Sequence, residues 1–225
     1  MHGIGSFCHE YSHTLGLMDL YDTDYETNGQ SDGCWAFTTV MDSGSYSDDG
    51  NTPPYYNAVE RLILGLAEPV TLPSGNVSLE PVYLNGQSYC LDSGNDGEYY
   101  LFECRDNSLW DKYIGCKGLL VYHIDYSSNR ISLRVENQNK SVKAIELWED
   151  YNMINASSSH PCADILEANP QAAGKCNSRV SNGQSISDIF FPYSSYKSIG
   201  PDGNRKLQWW DGSVPGISIS NITVR

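Results

Sequence analysis

The feature that most restricts the fold of this chain lies near its amino end, where His9-Glu10-Tyr11-Ser12-His13 is followed by Gly16 and then Asp19. Two histidines four positions apart stack one turn above each other on a helix, whereas on a strand they stand about 13 Å apart, so a string whose imidazoles meet at one ion requires a helix there. Ile4, Phe7, Cys8, Tyr11 and Leu15 also fall at helical spacings, which predicts a helix over residues 2–17. Gly16 lets the chain leave that helix through a positive-φ conformation, and a residue three positions further on can swing back toward the imidazoles. Asp19 is placed to do so.

That layout has a chemical reading. Two stacked imidazoles and a returning carboxylate suit a divalent ion, Zn²⁺ above all, with His9, His13 and Asp19 as metal ligands and a fourth position left for water. Glu10 stands beside that open position as a candidate catalytic base. The chain has only 5 His, so chance is a poor explanation of the string. Its 7 Cys show no C-x-x-C spacing, which leaves His and carboxylates to supply any metal site. Cys104/Cys116 and Cys162/Cys176 are close enough in sequence to close short disulfide loops.

With 14 Lys+Arg against 28 Asp+Glu, the formal charge is −14, which disfavours nucleic acid and anionic membrane surfaces as partners. No apolar run reaches the ~18 residues of a membrane span, so membrane insertion is not expected. The acidic run Asp19, Asp22, Asp24, Glu26 and Asp32 reads either as a cradle for Ca²⁺ or as a solvated acidic loop. His123 and Asp125, two apart on a predicted strand, read as a hydrogen-bonded structural pair or a second metal site. His2 and His160 read as ordinary polar residues, and one of Trp209 and Trp210 is expected in the core with the other available for contact.

Residues 18–52 are dense in Asp, Gly, Ser, Asn and Thr and are expected as loop and turn. A second helix is predicted from Pro53 or Pro54 to Leu66, capped by Thr52, with Val59, Leu62, Ile63 and Leu66 on one face. Strands are predicted at Val77–Leu84, Tyr99–Cys104, Gly118–Ile124, Ile131–Val135, Val142–Trp148 and Ile217–Val224. Residues 152–188 are polar and carry no clear assignment. The expected fold is α+β: a helix and loop module over residues 1–68, then an antiparallel β-rich region over 69–225, sandwich-like and packed on that module.

The full string H-E-x-x-H-x-x-G-x-x-D resembles the extended zinc signature of the metzincin peptidases, with Asp where many members have a third His. Such folds also have a Met-containing turn beneath the metal, and Trp35 to Tyr46 fits it, with Met41 as a soft floor under the imidazoles or, alternatively, an ordinary core methionine. The strings FCHEYSHTLGLMDLYDTD, W-x5-MDSGSY and P-x-YNAVERLILGL look like the immune inhibitor A family of bacterial metallopeptidases. Looser likeness continues through EYYLFECRDNSLWD, GLLVYHIDY, SHPCADILEAN and LQWWDGSVPGISISNITV. Met18 stands where that family more often has Pro before the third ligand.

The resemblance implies a secreted endopeptidase that uses zinc to hydrolyse peptide bonds of extracellular proteins, made as a precursor with further domains. Tyr46, five residues after Met41, is a candidate donor to the developing oxyanion, with an ordinary core tyrosine as the alternative. In zincin folds the metal helix packs on a β-sheet from earlier in the chain, whereas eight residues precede His9 here, so that sheet is expected from a longer precursor or from another chain, or else the module is a degenerate one. A rival of another class is a non-catalytic secreted binding protein with an incomplete peptidase module. A purely structural zinc site has no need of Glu10 beside an open position.

Overall fold

The computed structural model describes residues 3–24, 35–172 and 185–225, so His2, Glu26, Asp32, Cys34 and Cys176 lie outside the described residues. Helix α1 spans Ile4–Thr14. It closes where the backbone N–H groups of Leu15 and Gly16 donate to Ser12 and His13 carbonyls. Gly16 then takes a φ of 100°. Nothing lies within 4 Å of where its Cβ would be, so glycine serves the backbone angle and not a close approach.

The face of α1 that is buried is not the apolar one. Ile4, Phe7, Tyr11 and Leu15 are exposed, and the Phe7 and Tyr11 rings stack at 5.8 Å. Gly5 and Ser12 face inward instead. A Cβ on Gly5 would come within 2.0 Å of the Ser45 carbonyl oxygen, so glycine is what permits that approach. The Ser12 hydroxyl donates to the Cys8 carbonyl at 2.6 Å and accepts from the Tyr56 hydroxyl, also at 2.6 Å.

Two short 3₁₀ turns, Ala36–Thr38 and Ser43–Tyr46, follow. Helix α2 then spans Ala58–Ile63, later and shorter than the sequence predicts. The start is set by Asn57 and not by Thr52: the Asn57 side chain accepts from Glu60 N at 2.9 Å, and the Glu60 carboxyl accepts from Asn57 N at 2.7 Å. Its buried residues are Ala58, Val59 and Glu60, whereas Ile63 and Leu66, grouped with Val59 on one face by the sequence, are exposed.

Strands β1 (Val70–Thr71), β2 (Tyr89–Asp92), β3 (Glu98–Arg105) and β4 (Gly118–Asp125) join with the later β7 (Ala163–Ile165) in a sheet of order β1-β2-β3-β4-β7. The β1–β2 pair is parallel and the other pairs are antiparallel. A separate hairpin pairs β5 (Arg130–Val135) with β6 (Gln138–Lys143). Helices and mainly antiparallel sheet together make the fold α+β.

Some strand predictions need correction. Val82–Asn85 is a helical turn, α3, which takes over the end of the expected strand Val77–Leu84. Within Val142–Trp148 the strand stops at Lys143 and helix α4 (Ala144–Glu149) begins, because the Glu146 carboxyl reaches back to Lys143 N at 2.7 Å. Ile217–Val224 holds a single bridge, Ile219 to Ile199. Cys104 and Cys116 are free thiols and do not close the loop that their spacing allows; Cys162 is also free.

Alternation along β3 and β4 sends side chains to two cores. Leu101, Leu120, Tyr122 and Ile124 join one buried cluster with Leu17, Leu20, Trp35, Met41 and Val59, drawn from the first 68 residues. Tyr100, Phe102 and Val121 join the other with Phe191, Ile199, Leu207 and Trp209. Trp35 locks the first cluster by stacking on Tyr122 at 4.7 Å and donating from its indole N–H to the Ala163 carbonyl at 2.8 Å.

Beside that core lies a buried ionic network. The Arg105 guanidinium meets Glu103 at 3.1 Å and forks onto Asp111, and it also donates to the Thr38 and Tyr55 carbonyls at 3.0 and 3.2 Å. Glu103 in turn accepts the Ala58 N–H at 2.6 Å and the Tyr122 hydroxyl. One strand residue therefore tethers the turn before Met41 and the entry to α2.

Candidate metal centre

Helix α1 places His9 and His13 one turn apart, and the turn at Gly16 returns the chain so that Asp19 faces them. The three donor atoms converge: His9 Nε2 and His13 Nε2 lie 3.3 Å apart, and Asp19 Oδ1 is 3.3 and 3.4 Å from them. Ligand atoms about 2.0–2.1 Å from a tetrahedral ion lie about 3.3–3.4 Å from one another, so the spacing fits a single Zn²⁺.

The protonation pattern fits as well. His9 Nδ1 is 2.8 Å from the Val40 carbonyl and His13 Nδ1 is 2.9 Å from the Leu17 carbonyl. A carbonyl oxygen can only accept, so each Nδ1 carries the hydrogen and the nitrogen that turns inward as a metal donor is Nε2. Asp19 Oδ1 is buried with no hydrogen-bond partner. Three such donor atoms facing one another in a half-buried pocket is an arrangement that a cation relieves. The adjacent Asp19 carboxylate draws the His9 pKa up, against the opposing effect of burial. Burial pushes Asp19 the other way, but His9 and Asn152 outweigh it and its pKa falls below the ordinary range.

Among the described residues these three form the one His/Cys/Asp/Glu group able to hold a metal ion. Asp22 and Asp24 do not join such a group; Asp22 accepts the Asp24 N–H at 3.2 Å. Glu10 is on the exposed side of α1. Tyr46 ends the second 3₁₀ turn, which packs on the start of α1, and it is 67% exposed, which removes the core-tyrosine alternative. Met41 is fully buried in the cluster that holds Leu17 and Leu20; its carbonyl accepts from Leu20 N at 3.1 Å and its N–H donates to the Thr39 hydroxyl at 2.9 Å.

Residues 2–61 match the family model for the immune inhibitor A peptidase M6 catalytic domain. The match covers α1, the turn to Asp19, the Met41 turn and most of α2, and so supports a peptidase family for this part of the chain. No curated protein and no solved structure matches the chain.

Several residues that shape the centre escape a sequence reading. Asp42 accepts from Ala36 N at 3.0 Å and Ser43 N at 2.6 Å, holding Ala36 at a φ of 41°. Thr39 donates to buried Glu60, which links the Met41 turn to the α2 cap. Asn152, whose amide clamps Asp19, is 133 positions away, a separation no motif spans. Asn152, by contrast with Gly16, belongs to no recognisable string.

The His123 and Asp125 expectation resolves into separate partners. His123 pairs with Glu98 at 3.0 Å, and Asp125 pairs with His160 at 2.6 Å. The Trp210 ring stacks on both imidazoles, at 3.6 Å from His160 and 5.4 Å from His123, while Trp209 is buried in the second core. His160 is thus a hydrogen-bonded, stacked residue. A cleft of about 620 Å³ lined by Asp24, Ser132, Arg134, Lys140 and Ser158 includes none of the three donors.

Proposed function

We propose that the chain carries the catalytic centre of a secreted zinc endopeptidase that hydrolyses peptide bonds of protein substrates. What supports this most is the convergence of His9 Nε2, His13 Nε2 and Asp19 Oδ1 at tetrahedral spacing with both imidazole protons held elsewhere. The match of residues 2–61 to a peptidase family model points the same way. In this reading residues 1–68 hold the reactive groups and residues 69–225 pack on them and support them.

Bound there, Zn²⁺ would supply a Lewis acid that polarises a substrate carbonyl and draws the pKa of a water toward neutrality. His9, His13 and Asp19 hold the ion, and the Val40 and Leu17 carbonyls keep both rings in the liganding tautomer. Glu10, one residue after the first ligand and open to solvent, takes the proton of the attacking water and passes it to the leaving amine. The exposed Tyr46 phenol is free to turn toward substrate and donate to the oxyanion. Anionic Asp19 tempers the Lewis acidity relative to a third imidazole, so turnover is expected to be modest. No described helix is long and apolar enough to cross a membrane.

The test pairs metal analysis with casein hydrolysis by the parent and by Glu10→Ala. Both proteins should retain stoichiometric zinc, while the variant loses about 10²–10⁴-fold in rate. Hydrolysis by Glu10→Ala at the parent rate, or a parent that holds no zinc at neutral pH, would overturn the proposal. A zinc-loaded parent with no hydrolysis would favour a binding protein.

A further inference from the structure

Asn152 lies on the turn after α4 and meets Asp19 twice. Its side-chain Oδ1 accepts the Asp19 backbone N–H at 2.9 Å, and its Nδ2 donates to Asp19 Oδ2 at 2.8 Å. Its own carbonyl accepts the Thr23 hydroxyl at 2.7 Å. The residue sits at a φ of 49°, a left-handed conformation that Asn adopts more readily than most side chains. Nearby, fully buried Asn155 donates to the Leu20 carbonyl at 2.8 Å.

These bonds make the two carboxylate oxygens of Asp19 unequal. Oδ2 is taken by an amide that can only donate to it, whereas Oδ1 is left bare and turned toward the imidazole nitrogens. We propose that Asn152 is a positioning residue for the metal centre: it selects Oδ1 as the single liganding oxygen and fixes the turn that brings Asp19 back to α1. The β-rich part of the chain thereby sets the metal affinity of a site whose ligands all lie within the first 19 residues. This rests on the reading of His9, His13 and Asp19 as a metal centre. Partners that orient a metal ligand typically account for about 10–100-fold in affinity.

A simple backbone tether would need only the bond to Asp19 N, and two substitutions separate the cases. Asn152→Gly keeps the left-handed backbone and deletes the amide. Asn152→Asp keeps an acceptor for Asp19 N but sets a carboxylate against Oδ2. Zinc dissociation constants are measured on the whole chain by chelator competition, and Co²⁺ is used as a spectroscopic probe of coordination.

Both variants should bind zinc about 10–100-fold more weakly than the parent. The visible Co²⁺ band of Asn152→Gly should also weaken, because a freed Oδ2 can turn in as an extra donor and raise the coordination number. Parent-like affinity in Asn152→Gly, or full recovery in Asn152→Asp, would overturn the inference. If circular dichroism shows that Asn152→Gly does not fold, Asn152→Asp decides alone, with parent-like affinity as the overturning result. A parent that binds neither ion would instead overturn the metal-centre reading, which is a distinguishable result.

Discussion

Glu60 and Asp42 hold their protons longer in the folded chain than in the unfolded one. Burial pushes Glu60 from 4.5 up to about 7, despite its bonds from Thr39 and Asn57, and burial likewise pushes Asp42 up to about 6. A carboxyl group raised in this way favours the folded state in acid: its contribution is complete below the unfolded pKa and declines as pH rises through the folded one. For Glu60 that window runs from 4.5 to about 7. The lowered carboxylates, Asp19, Glu98 and Asp125, act in the opposite sense, losing stability as pH falls below the ordinary carboxylate range, so the two windows barely overlap. Stability in urea should therefore decline across the Glu60 window by up to about 3 kcal/mol from this residue. Glu60→Gln, which cannot ionise, should remove that share; an undiminished slope in the variant would contradict it.

At the scale of elements, Arg105 on β3 is what joins the Met41 turn and the entry of α2 to the sheet, through its bonds to the Thr38 and Tyr55 carbonyls. Its removal strands Glu103 and Asp111 without a counter-charge in a dry interior. Arg105→Met should cost about 3–5 kcal/mol in urea unfolding, and a loss well under 1 kcal/mol would contradict the tethering role. The position of α1 was legible in the sequence because two imidazoles four positions apart can meet at one ion only when a helical turn separates them. The start of α2 was also written there, as Asn57 with Glu60 three positions on, but Pro53 and Pro54 offered a competing signal and the reciprocal cap prevailed. The apolar stripe of α1 marks the helix but not its buried face, because Gly5 and Ser12 allow closer backbone packing than Phe7 or Tyr11 could. Lys143 ends β6 because Glu146 caps the next helix, a local competition that alternation alone does not reveal.

Across the whole molecule, the candidate ligands were legible and their supports were not. His9, His13 and Asp19 lie within one short string, whereas Asn152, Asn155 and Arg105 act over long separations that only folding closes. Trp35, buried against Tyr122 and bonded to Ala163, shows the same dependence, since the Met41 turn has its floor in the sheet. The most direct test of the metal centre is a zinc anomalous difference map from crystals of the whole chain. The expected result is one strong peak bonded to His9 Nε2, His13 Nε2 and Asp19 Oδ1 at about 2.0–2.2 Å. A peak at other residues, or a full-occupancy ion that leaves Asp19 Oδ1 out of bonding range, would contradict it.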